Sequence, residues 1–503
     1  MSVEKVKYRR LVIGLPLSVF ALIVLVSLVV PARFLAIAND LNDGLLRVFG
    51  QGFAMAAFVF VLTCGWAALS PLGKVRIGGA TAIPLLSVWS WMAITLTTTV
   101  AIGILFWATA EPIYHLYGPG NLPLEPASPE AARFSMVSLF MHWSFTPYAI
   151  YTVPGLTFAL CHYNLGQRFS LSAPLSVLAG REVPRVAADG LDAVALLCLL
   201  FGLSASLGAG ILSIGGGIAR LSPLETGALL TGLVAAAIVA AFFLSSASGL
   251  QRGIRILSDI NTKIFIALLV FVFAFGPTGE ILRLASRSVV QYVAEFVPRS
   301  LTLEPFNDRA WLNDWTVFYF ANWMAWAPLA ALFLGRISRG YTVRAYVFVN
   351  LVLPATFSIL WMSVFGGLAT VLELAEPESL KSALDQGPEF VLYAVLDHLP
   401  VAGALAALII VVSFLSYVTA ADSSLDVVSK LVVERGTARL SLRLVFALAV
   451  GFAAWIMTSL SGIDGVRVLS NLGGLPALFI ISAFNVVLIG LGTVKLRALK
   501  AAS

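Results

Sequence analysis

Long apolar segments recur along the whole chain, and they constrain its fold more than any other feature of the sequence. Each is close to the roughly 20 residues that an α-helix needs to cross the hydrocarbon core of a bilayer. Of the 503 residues, 59% are hydrophobic and 12% are charged, whereas a water-soluble chain of this length needs more charge to cover its surface. The sequence therefore predicts an all-α polytopic membrane protein.

Hydropathy predicts twelve transmembrane helices. Their approximate ranges are 11–31, 48–70, 86–109, 134–162, 190–219, 225–247, 262–277, 313–334, 345–371, 398–420, 441–461 and 472–494. Most of the 32 lysines and arginines fall in connections on the same side as the N-terminus. Because positively charged connections tend to stay in the cytoplasm, we expect a multi-pass protein of the bacterial inner membrane with both termini cytoplasmic.

Catalytic and metal-binding patterns are not visible in the sequence. Cys64, Cys161 and Cys198 lie in or beside apolar segments, and we find no two histidines, cysteines or acids at a metal-ligand spacing. We therefore predict no catalytic residue, no metal site and no cofactor, which argues against a membrane enzyme. A channel would display repeated polar rings or filter loops. The net charge of +6 follows from the sidedness of the basic residues and implies no nucleic-acid partner.

The run from Asp314 to Gly340, DWTVFYFANWMAWAPLAALFLGRISRG, is the most informative part of the chain. On an uninterrupted helix, Trp315, Asn322 and Trp326 share one stripe, and Trp323 can face the same cavity as Trp326. Indole faces attract a cation that has little hydration to lose, such as a methylated ammonium. For any single tryptophan, packing within a helix bundle is the more common role.

Four segments together resemble the betaine/choline/carnitine transporter family. They are DWTVFYFANWMAWAP followed by RISRG, FWATAEP at the end of the third span, MHWSFTPYAIY in the fourth, and TAADSS at the end of the tenth. The resemblance extends over essentially the whole chain. It implies a secondary transporter that carries quaternary ammonium compounds such as glycine betaine, choline or carnitine by alternating access, and that assembles as a homotrimer.

The resemblance also implies a leucine-transporter-like fold, in which two five-helix units form an inverted repeat behind two N-terminal helices. The expected divisions are 1–85 for helices 1 and 2, 86–280 for the first repeat, 281–308 for an interfacial amphipathic helix, 309–494 for the second repeat and 495–503 for a short cytoplasmic tail. Residues 280–299 alternate apolar and charged side chains at helical period, as a helix lying in the membrane interface would.

By motif position, the substrate-binding residues would be Trp143 and Tyr151 from the fourth span with Trp323 and Trp326 from the eighth. Asn322 stands where the family commonly has a further tryptophan. An amide there either reads a carboxylate or hydroxyl of the substrate or bonds a neighbouring helix.

Three residues are expected along the transport pathway. Trp315 would lie on the outer or inner route to the site. Ala101 and Gly103 belong to the third-span stretch that resembles a glycine-rich unwound motif of the family, of which one glycine remains here. Small residues at such a place either allow close helix packing or mark backbone that unwinds around a ligand.

The coupling-ion region departs from the sodium-dependent members. Sodium needs several oxygen ligands, yet Ala420 follows Thr419 where a second hydroxyl is expected, and Leu199 and Leu203 provide no side-chain oxygen. Lys263 either replaces the sodium ion as a fixed cation or, more commonly for such a residue, extends to the membrane interface. We predict sodium-independent transport, by exchange or with protons; a sodium symporter and a sulfonium carrier of the same fold are the alternatives.

Overall fold

The structure, a computed structural model, describes residues 6–99, 103–248, 251–435, 438–496 and 499, and it is built almost entirely of helices. The first eleven helices are α1 (Arg10–Val29), α2 (Pro31–Leu69), α3 (Val88–Thr99), α4 (Gly103–Tyr117), α5 (Pro129–Trp143), α6 (Phe145–Ala159), α7 (Ser172–Ala179), α8 (Arg185–Leu221), α9 (Ala228–Ser248), α10 (Gln251–Phe275) and α11 (Thr278–Ser300). The others are α12 (Arg309–Leu312), α13 (Phe318–Ile337), α14 (Val343–Val347), α15 (Leu353–Ala375), α16 (Ser379–Gln386), α17 (Pro388–Asp397), α18 (Ala402–Leu431) and α19 (Leu440–Thr493).

Among the described residues, eight helices are long and apolar enough to cross a membrane, and a ninth is added if the bent pair α10–α11 is one span. In this count α12 and α13 form one helix through a π-helical turn at Asn313–Val317, as α14 and α15 do through Phe348–Val352. These helices confirm the predicted polytopic helical fold. The exception to all-helical structure is a small antiparallel pair, β1 (Lys7–Tyr8) with β2 (Val433–Arg435).

Two breaks divide long apolar segments. Ser144 has non-helical backbone angles (φ −116°, ψ −120°) and separates α5 from α6, and its hydroxyl donates to the carbonyl of Phe140 at 2.6 Å. Gly462 divides the 54 residues of α19 with φ +54° and ψ −131°, a conformation that residues with a Cβ rarely adopt. Each break changes the direction of the chain inside the bundle.

The helix α11 leaves α10 at an angle of 109°. Ile281, Ala285 and Ser288 on one face are buried, whereas Val290 and Val293 are about 70% exposed. A helix with one packed face and one exposed face that still carries large apolar side chains suits the membrane interface.

The helix α13 lies in the middle of the bundle and packs against α6, α8 and α19. Glycines on the neighbouring helices allow this close approach. A Cβ atom at Gly474 of α19 would lie 2.6 Å from Cβ of Ala321, and one at Gly202 of α8 would lie 3.0 Å from the indole of Trp326. The aromatic residues of the run 314–340 therefore lie within the protein.

One end of the bundle is held together by contacts between basic side chains and chain connections. Arg9 bonds Asp189 at the start of α8, Arg76 donates to the carbonyl of Gly340 at 2.6 Å, and Glu434 pairs with both Lys7 and Arg185. A cavity of about 770 Å³ opens near this end. Its charged lining residues are Arg9, Asp192, Arg336, Asp422, Asp426, Lys430 and Arg443.

Candidate functional site

Three aromatic residues of α5 and α6 contact the ring of Trp323 on α13, and we call the four residues the aromatic cage: Trp143, Tyr148, Tyr151 and Trp323. The ring of Trp323 lies 5.1 Å from that of Tyr151, 5.4 Å from that of Tyr148 and 5.9 Å from that of Trp143, measured between centroids. The planes of these three rings lie at 60–76° to the plane of the Trp323 ring. Rings converging from separate helices can surround a cation with their electron-rich faces.

The break at Ser144 decides how the cage forms. We expected Trp143 and Tyr151 in one span, the fourth (134–162), but Trp143 is the last residue of α5, whereas Tyr151 lies within α6. The sequence analysis missed Tyr148, which lies three residues before Tyr151 and therefore shares its helix face. That spacing is visible in the sequence and could have identified Tyr148 as a candidate. The hydroxyl of Tyr148 is anchored to Ser358 at 2.9 Å.

Two predicted binding residues on α13 point away from Trp323. Trp326 packs against Gly202 of α8 and is partly buried. Asn322 accepts a hydrogen bond at 3.3 Å from Ser470 of α19. In this conformation Asn322 contacts α19, Trp326 contacts α8, and Trp323 contacts α5 and α6.

Of the predicted pathway residues, the structure describes Trp315 and Gly103, and Gly103 lies beside the cage. The ring of Trp315, in the π-helical turn before α13, packs on Trp107 and Tyr114 of α4 at 6.0 and 5.0 Å. Gly103 begins α4 directly beneath the indole of Trp143. Ala101 falls outside the described residues. The guanidinium of Arg467 in α19 covers the ring of Trp315 at 4.7 Å, so a cation already occupies one face of this tryptophan.

The coupling-ion region contains few free oxygens. The hydroxyl of Thr419 donates to the carbonyl of Leu415 at 2.7 Å, and Leu199 and Leu203 are buried. The Lys263 side chain is 73% exposed and pairs with Asp259 at 2.6 Å on the same helix. Two residues earlier, Asn261 donates to Ser416 of α18 at 2.7 Å. Asn261 therefore marks the face of α10 that meets α18, and Lys263 points elsewhere.

A buried polar network, formed by Glu111, His115 and His142, lies behind the cage. The Oε1 atom of Glu111 lies 2.6 Å from Nδ1 of His142 and 3.2 Å from Nε2 of His115. Its Oε2 atom accepts from the indole nitrogen of Trp143 at 2.8 Å, and Nε2 of His142 lies 3.0 Å from the hydroxyl of Thr316. We expected no two histidines, cysteines or acids at a metal-ligand spacing, yet Glu111 and His115 are one helical turn apart and their side chains meet with that of His142.

The donor atoms of this network lie within 4.8 Å of one another. Both oxygens of Glu111 and both nitrogens of His142 already have side-chain partners, however. Among the described residues, Nδ1 of His115 is the one polar atom of the three side chains without a partner. The arrangement is that of a hydrogen-bonded network, and we assign no metal to it.

A small cavity of about 30 Å³, roughly the space of one water molecule, lies on the far side of the network from the cage. His142, Thr316, Ser138, Asp308 and Arg299 are among the residues that line it. The site is thus bordered by a water-sized cavity near the connection before α12, while the wide cavity opens at the end that carries Arg9.

Comparisons with known proteins identify the family. The sequence profile of the betaine/carnitine/choline family of transporters matches residues 11–491. An ectoine/hydroxyectoine transporter of Virgibacillus pantothenticus is 30% identical over 90% of this chain and 91% of its own length. Glycine betaine transporters of Vibrio parahaemolyticus and Bacillus subtilis are 32% and 31% identical, over 82% and 83% of this chain and 79% and 81% of their own. The chain belongs to the betaine/carnitine/choline family, and it is a multi-pass membrane transporter rather than an enzyme.

Proposed function

We propose that this protein carries a small quaternary ammonium compound of the glycine betaine type through the membrane by alternating access. The observation that carries the proposal is the convergence of Trp143, Tyr148 and Tyr151 on Trp323. A trimethylammonium group is large and weakly hydrated, so aromatic faces compensate its loss of water better than they would for a primary ammonium, which requires hydrogen-bond acceptors.

Ectoine is the second candidate substrate, since one of the relatives over nearly full length is an ectoine/hydroxyectoine transporter. Its positive charge is spread over an amidinium group, which is also weakly hydrated and suits the same rings. Choline, carnitine and a sulfonium compound such as dimethylsulfoniopropionate satisfy the same physical requirement and belong in the same test.

The proposed architecture is twelve spans in a leucine-transporter-like arrangement, with 1–85 before the repeats 86–280 and 309–494, the interfacial segment 281–308 between them and the tail 495–503 after them. Among the described residues, three features support the count beyond the eight long apolar helices and the bent pair α10–α11: α3 with α4 can form one span, α5 with α6 another, and Gly462 divides α19 into two. A homotrimer is part of the same proposal.

The proposed orientation has both termini in the cytoplasm, because Arg9, Arg76, Arg185, Arg336 and Lys430 gather at one end of the bundle. The wide cavity opens at that end, and the water-sized cavity lies near the connection before α12. With this orientation the wide cavity opens toward the cytoplasm. Alternating access requires a second state with the opposite opening.

We further propose that transport does not need sodium. Leu199, Leu203 and Ala420 lack side-chain oxygens, which leaves the hydroxyl of Thr419 at these positions, whereas sodium needs several oxygen ligands. The experiment is uptake of labelled glycine betaine and ectoine into proteoliposomes, with potassium replacing sodium on both sides. Uptake should persist at a similar rate without sodium. A steep dependence on sodium would contradict the coupling proposal, and absence of uptake for the whole substrate panel would contradict the substrate class.

A further inference from the structure

The buried network contains the carboxylate of Glu111, whose negative charge takes no part in the contacts between the cage rings. Glu111 and His115 are 0% exposed and His142 is 1% exposed. Across the described residues, the ionisable partners within ion-pair distance of Glu111 are His115 and His142, and no lysine or arginine joins them. A buried carboxylate with no fixed cation beside it is unfavourable in an apolar bundle, and binding one proton removes the net charge.

The network can bind that proton without losing a hydrogen bond. When His142 is neutral, its Nδ1–H donates to Glu111 and its Nε2 accepts from the hydroxyl of Thr316. When His142 is protonated, Nε2–H donates to the same hydroxyl, because a threonine oxygen can both donate and accept. Thr316 therefore satisfies both forms, so neither leaves an unpaired group at His142.

The water-sized cavity gives the proton a route. It is lined by His142 and Thr316 on one side and by Ser138 and Asp308 on others, and it can hold a water molecule with several polar partners. A proton reaching Nε2 of His142 from this cavity does not have to pass through the aromatic cage.

The network is also connected to the cage. The indole N–H of Trp143 donates to Oε2 of Glu111 at 2.8 Å, and the imidazole of His142 stacks on the ring of Tyr319 at 4.9 Å. Tyr319 in turn packs on Trp143 at 5.2 Å. A cation held by the ring of Trp143 is thus separated from Glu111 by a single side chain.

We propose that Glu111, His115 and His142 form a proton-binding site, and that a cationic substrate group entering the aromatic cage favours release of the bound proton. The proposal rests on the proposed function, since it requires a cation in the cage. Without the proton the network carries the net negative charge of Glu111, which attracts the cation across Trp143 through a medium with little screening, and the bound proton removes that attraction. The reciprocal consequence is that substrate affinity rises as the proton concentration falls.

Other ionisable groups surround the network and belong in any account of its pH dependence. They are Tyr114 on α4, Arg299 on α11, Asp314 before α13, Tyr319 on α13, Glu373 on α15, Asp385 on α16, Glu389 on α17 and Arg467 on α19. Arg299 is paired with Glu295 at 2.7 Å, and Arg467 with Asp464 at 3.0 Å. The two arginines therefore have carboxylate partners of their own.

The test is calorimetry of glycine betaine and ectoine binding to the purified full chain, in buffers that differ in ionisation enthalpy, between about pH 5 and pH 8. The slope of the observed binding heat against the ionisation enthalpy of the buffer gives the number of protons exchanged on binding. We expect release of a fraction of one proton per substrate bound, and an affinity that rises by about fivefold or more over this range.

Glu111→Gln keeps the shape of the side chain and removes the titrating carboxylate, and it should abolish both the proton release and the pH dependence while substrate still binds. Glu130→Gln, on the exposed face of α5, is the matched control and should behave as wild type. Wild-type binding with no proton exchange, proton uptake instead of release, or release that persists unchanged in Glu111→Gln would each overturn the proton site. Failure of the wild type to bind either substrate at any pH would instead contradict the proposed function.

Discussion

A Cβ atom at Gly103 would lie 2.7 Å from Cη2 of Trp143, which is closer than two carbon atoms can approach without displacement. The indole of Trp143 therefore lies where it does because residue 103 has no side chain. The same indole donates to Glu111 and faces Trp323 at 5.9 Å. Gly103 thus acts on the aromatic cage without belonging to it.

Gly103→Ala should weaken substrate binding, because the new methyl group pushes Trp143 out of its position against Trp323 and Glu111. We expect a loss of about tenfold in affinity, equivalent to the roughly 1–2 kcal/mol of one desolvated cation–π contact. Isothermal titration of the best substrate measures it. Gly215→Ala on α8 is the control, since a Cβ there meets no atom within 4 Å. Equal affinities for the two variants would show that the position of Trp143 is irrelevant to binding.

Trp323→Leu should weaken binding by about 1–2 kcal/mol, the range of a desolvated cation–π contact, because leucine keeps apolar volume but provides no electron-rich face. Trp323 is the ring that touches each of the other three cage members. Trp323→Phe should recover part of the loss, since a smaller aromatic face remains.

Trp326→Leu is the informative comparison, because Trp326 packs against Gly202 of α8 and not on the cage rings named here. We expect it to change affinity by less than Trp323→Leu in the same titration. If both substitutions weaken binding equally, the cation lies between the two tryptophans, and the aromatic cage as defined above is not its binding site.

The sequence predicted the elements of this site better than their arrangement. Apolar length alone indicated membrane helices, and the aromatic run at 314–340 indicated that this segment contributes to the site. The interruption at Ser144 could not be predicted from hydropathy, because serine is common inside membrane helices and its hydroxyl reaches the carbonyl four residues earlier in many of them. The break lies between Trp143, the last residue of α5, and Tyr148 in α6, and both rings contact Trp323.

The buried network was missed for a different reason. Glu111 and His115 are one turn apart on α4, and this local spacing can be recognised in the sequence. Their meeting with His142 and Thr316 depends on how α4, α5 and α13 pack, and no local pattern encodes that. Asn322 was left open between a ligand contact and a helix contact, and its bond with Ser470 shows that the helix contact is made in this conformation.

Lys263→Gln should leave the rate of substrate uptake within about twofold of wild type, because an exposed ion pair contributes about 0–1 kcal/mol. The ammonium of Lys263 is exposed and bound to Asp259 of its own helix. Uptake into proteoliposomes, with Asp259→Asn as the paired control, measures the effect. A fixed cation that replaces sodium would be essential to the transport cycle. Loss of uptake in Lys263→Gln, with Asp259→Asn active, would therefore restore that role.

Arg9 joins the N-terminal segment to α8 at the edge of the wide cavity. Its guanidinium lies 3.0 Å from Asp189 through Nε and 2.6 Å from Asp192 through Nη1, and it also donates to the carbonyl of Leu431. Burial alone would lower the pKa of Arg9, but the charge of Asp192 and the bonds to Asp189 outweigh it and raise the pKa. The ion pairs are therefore stronger than the cost of partly burying the guanidinium.

Arg9→Gln should lower the free energy of unfolding by about 3 kcal/mol, because it leaves Asp192, whose side chain is 1% exposed, as an uncompensated buried charge. Thermal unfolding of the purified chain measures the loss. Arg10→Gln is the matched control, since Arg10 is exposed and adjacent in sequence. The double variant Arg9→Gln with Asp192→Asn should regain part of the stability, because it removes the stranded carboxylate. If the double variant is no more stable than Arg9→Gln, the effect comes from lost packing of the arginine side chain, and the buried charge is not its cause.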